Sequence, residues 1–146
     1  AVVGAGGTAR ALASALKGAG AFVTLYARAV SKGEDTARAV GVASAPWVDL
    51  PTASWDVLVQ ATPLGRNGEE LLLRRHLNGR LVLDAAYGAE PTPLVKAAHA
   101  RGLAVIPGQD LLVAQATLQF ERLTGEPVPT GVMAAALQSR LSSSSA

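Results

Sequence analysis

The sequence predicts an α/β fold, a doubly wound parallel sheet of about six strands with helices on both faces. Three observations carry that expectation. Short apolar runs alternate with helix-length segments from one end of the 146-residue chain to the other. The runs VLVQA (57–61) and RLVLDAAY (80–87) are of the buried-strand type expected where helices cover both faces of a sheet. A glycine-rich turn, Gly4-Ala5-Gly6-Gly7, separates the first apolar run from the first helical segment.

The elements follow in order. Ala1-Val2-Val3 is the end of a strand; strands average ~5–6 residues, so the chain is expected to be cut inside or just before its first one. Residues 7–17 read as a helix ended by Gly18. AFVTLY (21–26) is the second strand, and Ser31 with Glu34 forms a capping box for a helix reaching Val40. VASA (42–45) is a short edge strand. VLVQA is the next, stopped by Thr62-Pro63 and the loop Gly65-Arg66-Asn67-Gly68. LLLRRHL (71–77) reads as a short helix and RLVLDAAY as a further strand. Pro91 or Pro93 opens a helix that runs to Arg101 and ends at Gly102. LAVI (103–106) is the last strand. Asp110 caps a helix over 111–123, closed by Thr124-Gly125, and a final helix covers 130–141. With right-handed crossovers these elements form one domain over residues 1–141, followed by a disordered tail, 142–146.

Composition narrows the class. Hydrophobic residues make up 49% and charged residues 16%, a globular balance with ample apolar material for one core. The net charge of +2 comes without a basic stripe or interleaved aromatics, so no nucleic-acid partner is expected. Cysteine is absent, which excludes disulfides and thiolate metal sites, and no metal site of another kind is expected. No apolar run approaches the ~20 residues of a membrane span, so no membrane partner is expected either.

The chemistry begins at the first turn. Gly4-Ala5-Gly6-Gly7-Thr8-Ala9 fits G-x-G-x-x-A between a strand and a helix, the fingerprint of a dinucleotide-binding, Rossmann-like domain. The first glycine permits the tight turn, the second lets a pyrophosphate reach the backbone, and the small third residue lets helix and strand pack closely. Free N–H groups and the positive end of the helix dipole then face the anion. In such units an Asp or Glu about 20 residues on accepts bonds from the adenosine ribose. Here LYARAVSK (25–32) puts Ala27 and Arg28 in that place, with Lys32 one turn further. Ala27 removes the repulsion of a 2′-phosphate, and Arg28 and Lys32 add attraction to it. NADP is the expected cofactor, in preference to NAD.

The second half carries further motifs: Gln60-Ala61-Thr62-Pro63-Leu64-Gly65, then Asp84-Ala85-Ala86-Tyr87 ahead of Thr92-Pro93, then Gly108 with Gln115 seven residues on. With GAGGTARA (4–11), Arg28 and QFERLTG (119–125), these blocks resemble in order and spacing the NADP-binding half of the shikimate dehydrogenase family, over all but the last ten residues. The resemblance implies that Gly4, Ala5, Gly6, Gly7 and Thr8 hold the pyrophosphate, and that Ala27, Arg28 and Lys32 meet the 2′-phosphate. It implies that Ala61, Thr62, Ala85, Gly108 and Leu111 line the nicotinamide-ribose side, and that Tyr87 and Gln115 reach the substrate. Ala27 and Ala29 depart from the family's Asn and Thr, Leu111 from its Met, and Arg66 stands where an apolar residue is common.

The family's Lys and Asp pair for proton transfer belongs to an N-terminal substrate domain, and no segment here matches it. Lys17, Lys32, Lys96, His76 and His99 form no general acid–base pair, and Asp84 reads as a tie for the turn that follows it. The expected protein is therefore the NADP-binding part of a cytoplasmic shikimate dehydrogenase. It would share shikimate and 3-dehydroshikimate with a missing domain and show no turnover alone. A quinate/shikimate dehydrogenase using NAD or both cofactors, and a nucleotide-binding regulatory module without chemistry, are the alternatives.

Overall fold

The structure is a computed structural model and describes residues 1–69 and 77–143. Among them the strands are β1 (Val2–Val3), β2 (Thr24–Ala27), β3 (Ala43–Pro46), β4 (Val57–Gln60), β5 (Leu81–Asp84) and β6 (Ala104–Pro107). The helices are α1 (Gly7–Gly18), α2 (Val30–Val40), α3 (Pro93–His99), α4 (Gly108–Thr124) and α5 (Val132–Ser143), with a 3-10 turn over Trp47–Thr52. All six strands are parallel, in the order β3-β2-β1-β4-β5-β6. That is the doubly wound dinucleotide-binding order, and the expected fold class is what the chain adopts.

Strand alternation sorts the core into two layers. Val2, Leu25 and Val59 face one way and pack with Ala9, Ala13 and Ala37 of α1 and α2. Their neighbours Val3, Tyr26 and Leu58 face the other way, toward Leu50, Trp55, Leu94 and Ala98. The alanines on the first face bring α1 and α2 close to the sheet. Lys17 Nζ joins these two helices by donating to Val40 O at 2.9 Å.

Several local expectations need correction. α2 begins at Val30 with Ala29 as N-cap and no side-chain cap bond, so the Ser31–Glu34 capping box does not form. The chain turns into the helix at once after β2, and the Gly33 N–H already bonds Ala29 O at 3.0 Å. Asp110 does not cap α4 either; the helix starts at Gly108 behind Pro107, leaving Asp110 in the first turn, where it favours the dipole. The side chain that does cap is Thr92, whose hydroxyl accepts from the Val95 N–H at 3.2 Å, with Pro93 in the first turn. In 21–26 only the second half joins the sheet, and Phe22 is fully exposed. α5 runs to Ser143, two residues into the stretch expected to be disordered. Of the helix expected over 71–77, residues 71–76, His76 included, lie outside the described residues.

Candidate functional site

The ladder register fixes the site. Val3 is paired with Tyr26 and Gln60, Gln60 with Asp84, and Asp84 with Pro107. The next residue on each of these five strands is Gly4, Ala27, Ala61, Ala85 or Gly108. Residues chosen from separate motifs thus stand side by side along the carboxyl edge of one sheet, where open α/β sheets bind ligands. A cleft of about 800 Å³ opens there across β2, β1 and β4, lined by Gly4, Ala5, Gly6, Ala27, Arg28, Lys32, Ala61 and Thr62 together with Ala29, Trp47, Arg66 and others. It lies over the point between β1 and β4 where the strand order reverses.

Each wall of the cleft has a local cause. Gly4 has φ +121°, which L side chains avoid, and a Cβ there would stand 2.9 Å from Ala61 O. Its N–H bonds Tyr26 O at 2.9 Å, while the Ala61 N–H bonds Val3 O at 2.9 Å, so neither neighbour is free to move aside. Gly6 is the extended N-cap of α1, and a Cβ on Gly6 or Gly7 would meet nothing within 4 Å. The first α-helical bond is from Arg10 N–H to Gly6 O, at 3.0 Å, so the N–H groups of Gly7, Thr8 and Ala9 have no partner within the helix. Gly7 and Thr8 are exposed beside the cleft. The Thr36 hydroxyl donates to Ala5 O at 3.2 Å and ties α2 to the turn.

At the β2 end, Ala27 is 3% exposed and its methyl group points at α2; a Cβ on Gly33 would come within 2.7 Å of it. Arg28, Ala29 and Lys32 are exposed and face the cleft. Neither Arg28 nor Lys32 pairs with a carboxylate among the described residues.

The β4 end is organised by Gln60, which is buried. Its Oε1 accepts from the N–H and hydroxyl of Thr62, at 3.1 and 3.0 Å, and its Nε2 donates to Leu64 O at 3.0 Å. Glu69 closes the loop by accepting from the N–H groups of Gly65 and Asn67, both at 3.1 Å, and from Asn67 Nδ2. The donors of Asn67, with that of Gly65, hold the Glu69 carboxyl below its usual range.

Beyond β5 the Asp84 carboxylate is fully buried and accepts from Ala86 N–H at 3.0 Å and from the Thr92 hydroxyl. Burial pushes its pKa up, and those two bonds oppose the shift. Asp84 is the tie for the turn that the sequence suggested. Gly108 presses on the same turn: a Cβ there would lie within 2.5–2.8 Å of the carbonyls of Asp84, Ala85 and Ala86. Gln109 Nε2 adds a bond to Gly88 O at 2.7 Å. Leu111 and Tyr87 are half-buried, and Gln115 is exposed on α4. Ala85, Tyr87, Gly108, Leu111 and Gln115 do not line the cleft with the others; they continue the edge past β4. Arg66 bridges the two groups, lining the cleft with its guanidinium 5.3 Å from the centroid of the Tyr87 ring.

Lys96 and His99 are exposed, and no group of three or more potential metal ligands occurs among the described residues. Motif reading missed Trp47 and the scaffolding role of Gln60. The first lies outside any fingerprint, and the second was visible only as the residue heading the loop.

Comparison with known proteins agrees with the motifs. Residues 108–138 match the model of the shikimate 5'-dehydrogenase C-terminal domain. The chain is 42% identical over 124 residues to a shikimate dehydrogenase (NADP(+)) of Acidiphilium cryptum, covering 82% of this chain and 45% of that protein. It is 39% identical over 145 residues to one of Halobacterium salinarum, covering 96% and 54%. In fold it superposes on the shikimate 5-dehydrogenase of Thermus thermophilus, solved in complex with NADP(H) and shikimate, with TM-score 0.78 and 31% identity over 94% of this chain and 53% of that one. The chain spans about half the length of the curated relatives it matches. Over that length, by sequence and by fold, it is a relative of the shikimate dehydrogenases.

Proposed function

We propose, from that relationship, that this chain is the NADP-binding part of a shikimate dehydrogenase, organised as one domain over residues 1–141. The complete enzyme would interconvert 3-dehydroshikimate and shikimate. NADPH, when bound, supplies the hydride; this chain's residues bind and orient it. The open N-terminus of α1 and the side-chain-free faces of Gly6 and Gly7 fit a pyrophosphate held by Gly4 to Thr8. Arg28 and Lys32 fit the 2′-phosphate beside the buried Ala27. Ala61, Thr62, Ala85, Gly108 and Leu111 set the nicotinamide-ribose side, Tyr87 and Gln115 reach toward substrate, and Arg66 holds the Tyr87 ring. Proton transfer belongs to a Lys and Asp of an N-terminal substrate domain, so this chain alone binds cofactor without turnover. A cytoplasmic location goes with this proposal; no helix among the described residues is long and apolar enough to cross a membrane.

The observation that carries the proposal is the pair of cations Arg28 and Lys32, without a carboxylate partner among the described residues, in one cleft with the glycine turn. Calorimetric titration of the chain with NADP+ and NAD+ tests it. The wild type should prefer NADP+, with an affinity that falls as salt rises, and Arg28→Ala should erase most of that preference. An undiminished preference in Arg28→Ala refutes the phosphate assignment, and robust shikimate turnover by this chain alone refutes the division of labour.

A further inference from the structure

We infer that Trp47 is the adenine-stacking residue of the cleft, a role that rests on the nucleotide reading above. Pro46 is paired with Ala27 in the β2–β3 ladder, so Trp47, the next residue, stands level with Arg28 at the carboxyl end of the edge strand. Trp47 is half-buried: it packs against the core layer that contains Val3, Tyr26, Leu50 and Leu58, and it also lines the cleft. Its side chain is thus braced by the core at the border of the ligand space. β3 ends the sheet, so Trp47 bounds the cleft on the side away from β4.

The surroundings leave a base little else to bind. Ala27 and Ala29 carry no side-chain donors or acceptors, and Arg28 and Lys32 are engaged by the 2′-phosphate in the proposed reading. On this side of the cleft a purine would meet an aromatic side chain rather than a row of hydrogen-bonding groups. Stacking on such a side chain tolerates the lack of polar partners, because the π surface itself is the contact.

Fluorescence and affinity for 2′,5′-ADP test this in the full chain. The chain has two tryptophans, and Trp55 is buried ahead of β4, at the opposite end of the sheet from the cleft. The ligand should quench the emission of the wild type. Trp47→Phe should lose that quench and keep Kd within about threefold, while Trp47→Leu, which fills the core contact without a ring, should weaken binding by roughly tenfold or more. Wild-type affinity in Trp47→Leu overturns the inference alone, as does an unchanged quench in Trp47→Phe; the Phe variant decides the matter if the Leu variant fails to fold. Failure of the wild type to bind 2′,5′-ADP overturns the nucleotide site itself, and this inference with it.

Discussion

Gly4 and Gly6 occupy one turn, yet alanine at the two positions should have opposite consequences. At Gly4 the backbone has φ +121°, and the new methyl would stand 2.9 Å from Ala61 O and 3.2 Å from both Ala61 C and Thr62 Cγ2. Holding a side chain in that backbone region costs about 1–3 kcal/mol. Forcing the contact apart adds roughly 1–3 kcal/mol, because Ala61 is held in the β1–β4 ladder by its bond to Val3 O and cannot retreat cheaply. The expected loss is therefore about 2–6 kcal/mol, a large part of a domain's typical stability of about 5–15 kcal/mol. At Gly6, φ is −88° and the methyl meets nothing within 4 Å. Alanine is a poorer N-cap than glycine by about 0.5–1 kcal/mol, but it lowers the entropy of the unfolded chain by a comparable ~0.4–1 kcal/mol. Stability should stay within about 0.5 kcal/mol of wild type, while the methyl stands in the space proposed for the pyrophosphate. Urea unfolding of both variants, paired with NADPH titration, reads the contrast. Gly4→Ala with a wild-type midpoint would refute the strain argument. Gly6→Ala with wild-type NADPH affinity would refute the seat assigned to the pyrophosphate.

Two further predictions concern the polar groups that shape the edge. Gln60→Leu removes three hydrogen bonds from the loop after β4 and should cost about 2–3 kcal/mol in urea unfolding; a loss below about 0.5 kcal/mol would show that the loop does not depend on them. Burial holds the Asp84 carboxyl above its ordinary pKa, so the folded chain keeps a proton that the unfolded chain has already released. That contribution to stability is full below the ordinary carboxyl pKa and is lost as pH rises through the folded value. Asp84→Asn should flatten the decline between acid and neutral pH, and equal slopes for the two chains would remove Asp84 as its source.

The strands were legible in the sequence because their signals are local. Runs such as 57–61 and 80–87 declare themselves by composition, and once their alternation with helices is granted, parallel order and the carboxyl-edge site follow. What escaped was decided by partners distant in sequence. Ser31 and Glu34 had the capping pattern, but β2 delivers the chain into α2 two residues too early for them. Asp110 looked like a cap until Gly108 proved to pack on the carbonyls of Asp84, Ala85 and Ala86, which sets the start of α4. The 3-10 turn over Trp47–Thr52 shows no helical period, since Pro46 precedes it and Pro51 lies inside it. Its position beside Arg28 comes from the β2–β3 register alone.

Ala27 gathers these levels into one contact. In the sequence it is a missing acid, and the natural inference is that its side chain faces the ligand. In the fold it is buried against Gly33, with so little room between them that even a methyl on Gly33 would collide. An aspartate at 27 would have to push α2 away from β2, so packing alone disfavours an acid at this position. The same close approach places Lys32, the neighbour of Gly33, over the cleft, and it leaves Arg28 as the first residue past β2 free to face solvent. On the proposed reading, a small-residue pair in the core both removes the group that would repel a 2′-phosphate and sets the two groups that attract it. Cofactor choice is then a property of how α2 sits on the sheet, and Arg28 and Lys32 are its exposed consequence.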